Sequence, residues 1–66
     1  MKNSIKVERA RHNLTQSDLA EKVGVSRQTI NSIETKKYVP SAVLALKIAQ
    51  VFQMPVENLF ELEEDD

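Results

Sequence analysis

The chain has 66 residues and contains no cysteine, no tryptophan, one glycine and two prolines. Without cysteine, no disulfide can reinforce a small fold. His12 is the only histidine, so no His/Cys set with zinc-ligand spacing exists. No apolar run approaches the ~20 residues needed to span a bilayer. The opening MKNSIKVERA has no apolar stretch of signal-peptide length, so a cytoplasmic protein without membrane attachment is expected. No nucleophile, base and orienting group stand together, and the scattered Ser and Thr residues read as helix caps. Neither an enzyme nor a cofactor site is expected. A chain this short allows one domain and hides only about 60 % of its unfolded surface. Stability must rest on one apolar core, with or without a second subunit.

What is present is divided by charge. The formal net charge is -1, but residues 1–37 hold eight Lys/Arg against four acids, and residues 38–66 hold only Lys47 against six acids. A basic face in the first half can attract a polyanion although the whole molecule cannot. The -5 half is a possible docking surface for a protein partner.

The sparse punctuation predicts five helices. Helix one covers 3–12, with Ile5 and Arg9 on one face, and Asn13 tolerates the left-handed conformation that ends a helix. Thr15-Gln16-Ser17-Asp18 reads as a capping box, with Leu14 in the staple position. Helix two runs from 16 to about 23 and is closed by Gly24. Ser26 caps helix three, 27–34. The loop 35–40 carries Tyr38 and Val39, expected to fold back on the core. Ser41 caps helix four, whose Ala45, Ile48, Ala49 and Phe52 form one stripe. Pro55 opens a short fifth helix with Val56, Leu59 and Phe60 inward. The expected fold is all-α: a compact five-helix domain over 1–61, followed by an acidic tail at 62–66.

Helices two and three, about eight residues each, are too short to be stable alone. Joined by Gly24-Val25-Ser26 and pinned at Ala20, Val25 and Ile30, they make a helix-turn-helix, whose second helix can enter a major groove. The stretch LTQSDLAEKVGVSRQTINSIE, from Leu14 to Glu34, closely resembles the Cro and lambda-repressor type of helix-turn-helix regulator. The likeness extends through Lys37, Pro40, Ser41 and 44–60.

That resemblance implies double-stranded DNA as partner, a two-fold homodimer on an inverted-repeat operator, and action as a transcriptional regulator, most simply a repressor. It assigns base reading to Arg27, Gln28 and Ser32, with Thr29 offering a methyl group. Arg suits guanine O6/N7, and Gln suits adenine N6/N7. It assigns phosphate contact to Gln16, with Thr15, Asn31, Lys36 and Lys37 around it. Arg9 and Glu34 match a structural ion pair beneath the motif. Two departures stand out. Relatives place leucine where this chain has Glu8, so Val7 is expected to carry part of the apolar load. The usual glycine after helix three is absent from Thr35-Lys36-Lys37, so either a residue with a side chain fits that turn or the turn changes shape. His12 reads as a surface residue. Dimer candidates are Leu62, with Leu59 and Phe60 shared between core and interface. The tail is expected on the far side from DNA. The same fold serves in antitoxins and protein-interaction subunits, which is the alternative reading.

Overall fold

Helix α1 runs Ile5–Arg11, starting two residues later and ending one residue earlier than 3–12. The late start has a non-local cause. Lys2–Asn3 (β1) pairs antiparallel with Phe60–Glu61 (β2), Lys2 opposite Glu61 and Asn3 opposite Phe60. The Asn3 side chain accepts the Ile5 amide at 3.2 Å and donates to the Ile33 carbonyl at 3.0 Å. The Ser4 amide donates to the Leu59 carbonyl at 3.0 Å. The computed structural model, which describes residues 1–66, otherwise has four more helices: α2 (Gln16–Val23), α3 (Arg27–Glu34), α4 (Ala42–Val51) and the single turn α5 (Val56–Leu59). The fold is thus five helices with a two-stranded tie between the chain's two ends.

Each helix start follows its local chemistry. Both capping-box bonds are made: Thr15 Oγ1 accepts the Asp18 amide and the Asp18 carboxylate accepts the Thr15 amide, each at 3.0 Å. Ser26 accepts the Thr29 amide at 3.1 Å, and Ser41 the Leu44 amide at 3.2 Å. Pro55 lies at the extended N-cap of α5, one residue outside the helix.

The helix ends repeat one device four times. A residue with positive φ is followed by an amide that reaches back to a carbonyl of the last turn. The residues are Asn13 (54°), Gly24 (77°), Lys36 (64°) and Gln53 (54°). The bonds run from Leu14 to Arg9 (2.9 Å), Val25 to Ala20 (3.0 Å), Lys37 to Ser32 (2.8 Å) and Met54 to Ala49 (3.1 Å). Only one of the four positions is glycine. The glycine-free turn after α3 therefore keeps its left-handed shape, with Lys36 carrying the strained conformation.

The core is one cluster with Ile5, Leu19, Ile30, Ile33, Ile48 and Leu59 at its centre. Side chains of this size contribute roughly 1.5–3 kcal/mol each on full burial. Ala20 is buried where α2 packs on α3 and α4.

Three expectations about the core need correction. Tyr38 and Val39 do not fold inward; they are 47 % and 59 % exposed, and Pro40 is the loop residue that is buried. Val7 is exposed while Glu8 is buried, because Glu8 lies one turn from Ile5 on the inner face. At the rim, Arg11 Nη1 lies 3.1 Å from Glu8 Oε2. Finally, Leu59 and Phe60 are wholly committed to the core, leaving only Leu62 exposed among the dimer candidates. His12 lies at the surface with its ring 5.2 Å from that of Phe52.

Candidate nucleic-acid interface

Gly24, Val25 and Ser26 turn the chain between α2 and α3. The turn leaves the outer side of α3 uncovered: Arg27 and Gln28 are exposed, and Thr29 and Ser32 half-buried, while Ile30 and Ile33 point into the core. The hydroxyls of Ser26 and Thr29 share a hydrogen bond of 2.9 Å, which ties Thr29 to the cap. Ser26, Gln28, Thr29, Ser32 and Tyr38 line one open hollow of ≈ 400 Å³. Tyr38 is thus beside the outer face of α3 rather than in the core. The sequence reading missed it because an aromatic next to Val and Pro looks like a core residue.

A chain of polar contacts holds this face in place. Arg9 donates to Glu34 twice, Nε to Oε2 at 2.7 Å and Nη2 to Oε1 at 3.1 Å, and its Nη1 donates to the Leu14 carbonyl at 3.0 Å. The bidentate pair is geometrically specific and raises the Arg9 pKa through the Glu34 hydrogen bond. Glu34 Oε1 also accepts Gln16 Nε2 at 3.3 Å, and the same nitrogen donates to Asn31 Oδ1 at 3.1 Å. Gln16 Oε1 in turn accepts Arg27 Nη1 at 3.2 Å. One network therefore runs α1–α3–α2–α3 and ends on an exposed guanidinium. Arg9 and Glu34 behave as the resemblance implies, and Asn31 is a member of the same network.

At the start of α2, Asp18 and Thr15 satisfy each other, so the Gln16 and Ser17 amides are left without intrahelical acceptors. Such amides, at the positive end of the helix, favour an anion. At the end of α3, Lys37 is exposed and free of ion pairs, whereas Lys36 Nζ is held by Glu63, 3.2 and 3.3 Å from its two oxygens. Glu63 also lies 3.2 Å from the Met1 amino group. The tail is therefore not on the far side from α3. The β1–β2 pairing and the Asn3–Ile33 bond bring it out beside the 35–38 loop.

Residues 5–59 match the family model described as helix-turn-helix. The chain belongs to the helix-turn-helix family of the Cro and lambda-repressor type. It is a family of DNA-binding transcriptional regulators rather than of enzymes. Over all 66 residues of both chains, this protein is 58 % identical to an uncharacterized HTH-type transcriptional regulator of Methanocaldococcus jannaschii. It is 52 % identical, again over the full length of both, to the uncharacterized HTH-type transcriptional regulator YgzD of Bacillus subtilis. Among solved structures, it superposes on the P22 c2 repressor, crystallised with a synthetic operator, with a TM-score of 0.82. That match is 24 % identical and covers 86 % of each chain. The N-terminal DNA-binding domain of SinR from Bacillus subtilis matches with a TM-score of 0.78 and 31 % identity, over 91 % of this chain and 88 % of that one. The helix-turn-helix fold is shared with both solved structures. No helix of this family member is long and apolar enough to cross a membrane.

Proposed function

We propose that this protein is a sequence-specific binder of double-stranded DNA that acts as a cytoplasmic repressor, a two-fold dimer on an inverted-repeat operator. The observation that carries this reading is the Arg9–Glu34–Gln16–Arg27 network. It immobilises a polar helix face that contributes nothing to the core, at a helix pair shared with a repressor crystallised on operator DNA. Phosphate contacts position such a domain, and base contacts specify sequence. Gln16, Thr15 and Lys37 form the phosphate set, with Asn31 and Lys36 at its edge. Arg27, Gln28 and Ser32 read bases, with the Thr29 methyl group beside them. A dimer presents two copies of α3 ~34 Å apart, one turn of duplex. Residues 1–61 carry this activity, and 62–66 modulate it. Repression follows by occlusion of a promoter.

Selection from a randomised DNA pool tests the reading, with an enriched inverted repeat as the expected result. In titrations, Gln28→Ala weakens the selected site by ~1–3 kcal/mol and leaves random DNA unchanged. Lys37→Ala weakens both alike and lowers the salt slope by about one. Failure to bind any duplex at low salt removes the DNA reading and favours the antitoxin or protein-interaction alternative, in which the acidic C-terminal half docks a protein.

A further inference from the structure

Tyr38 lies outside the helix-turn-helix, yet the fold holds it against the outer face of α3. The Ser32 carbonyl accepts two amides, Lys37 at 2.8 Å and Tyr38 at 3.2 Å, so the loop is clamped to the helix it leaves. The Tyr38 side chain is exposed and lines the open hollow with Ser26, Gln28, Thr29 and Ser32. No lysine, arginine or acid lines this hollow. It therefore offers a phosphate no counter-charge. What it offers is an aromatic ring, a side-chain amide and hydroxyls. Thr29 bonds through its hydroxyl to Ser26 Oγ, 2.9 Å away, and carries a methyl group on the same Cβ.

We propose that Tyr38 is a specificity-determining residue and that the hollow takes the edge of a thymine. In the major groove only thymine, of the four bases, presents a methyl group, and it does so beside the O4 acceptor. An aromatic ring next to hydrogen-bond donors matches that pair of groups. The C5 methyl packs on the Tyr38 ring, and O4 accepts from Ser32 or Gln28. Any other base sets a polar edge against the ring. Gln28 suits adenine and lines the same hollow, so the thymine belongs to the A·T pair that Gln28 reads or to the next pair. The proposal rests on the DNA reading above and adds to α3 a reading residue from the loop that follows it.

Replacing thymine by uracil in the selected duplex removes the methyl group and keeps the pairing. Fluorescence titration of the full chain with such duplexes, one position at a time, tests the proposal. At one position per half-site, uracil is expected to weaken wild-type binding about three- to tenfold. Tyr38→Ala is expected to weaken the thymine duplex by a similar factor, to bind thymine and uracil duplexes alike, and to leave random DNA unchanged. Tyr38→Phe keeps the preference, because the ring supplies the contact. Circular dichroism controls for folding, and Tyr38→Asn is a second variant read in the same way. A wild type indifferent to uracil at every position, or a Tyr38→Ala or Tyr38→Asn protein that still prefers thymine there, overturns the proposal and leaves the DNA reading standing. An equal loss on selected and random duplex assigns Tyr38 to the phosphate backbone and overturns it too. A wild type that binds no duplex removes both readings.

Discussion

Gln53 holds a left-handed conformation with an exposed side chain, and so does Lys36, whereas glycine at such a place has no Cβ to strain. For an L-residue the conformation costs roughly 1–2 kcal/mol, part of which glycine returns through the greater entropy of its unfolded chain. Gln53→Gly is therefore expected to stabilise the fold by about 0.5–1 kcal/mol, read as a higher urea midpoint at constant slope. Gly24 makes the converse point. A Cβ placed there meets nothing within 4 Å, so its requirement is entirely one of φ. Glu34 is the other decisive residue. Its side chain is 7 % exposed and accepts from both Arg9 and Gln16. Glu34→Ala strands the Arg9 guanidinium and should cost about 3 kcal/mol. Urea unfolding measures that loss, and a cost under about 1 kcal/mol argues that water replaces the pair.

Among the elements, α2 is eight residues long and depends on its cap. The Asp18 carboxyl is held below the usual carboxylate range by the hydrogen bond from the Thr15 backbone, then by the Thr15 side chain, with a smaller contribution from Lys22. A lowered folded pKa means that the stabilisation is complete above the ordinary Asp value and is lost as pH falls through the folded value. The stability gap between wild type and Asp18→Ala should therefore be constant near neutral pH and narrow on acidification below the usual Asp range. Thermal melts across that interval check it, and a gap independent of pH shows that the cap does not need the charge. Helix α3 shows the opposite economy. Its inner face is Ile30 and Ile33, and its outer residues stabilise little. They are free to be chosen for what they touch outside the molecule.

For the whole molecule, the charge division seen along the chain is partly cancelled in space. The acidic tail returns to the basic loop and takes Lys36 through Glu63. Glu63 is held below its usual pKa by the Met1 amino group first and Lys36 second, and Asp66 by the Glu63 backbone and then the Met1 amino group. The amino group is raised, chiefly by Asp66. The sign is opposite for the two partners. The carboxylates hold this contact above the ordinary acidic range and lose it as pH falls. The amino group holds it below its usual value and loses it as pH rises through the raised one. The contact is complete between those limits. Glu63→Gln frees Lys36 for phosphate, so it should tighten binding to random DNA and steepen the salt dependence by up to about one unit of slope. Fluorescence titration at two salt concentrations measures both, and unchanged values show that Lys36 is never a competitor for phosphate.

The helix-turn-helix was legible because its determinants are local. Thr15 and Asp18, Ser26, Gly24 and the spacing of Leu19, Val23, Ile30 and Ile33 each act within about one helical turn. The candidate interface was legible for the same reason, since a side chain pointing away from such a stripe must be outside. Arg9 and Glu34 were legible through family resemblance alone, being 25 residues apart. Tertiary structure decided the rest. Whether Tyr38 or Pro40 enters the core, whether Glu8 or Val7 faces it, and where the tail lies all depend on which surface a distant segment covers. The β1–β2 tie settles the last of these by joining residues about sixty positions apart. No local propensity of Lys2 or Glu61 encodes that pairing; it exists because the core of α1, α3 and α5 brings the chain ends together.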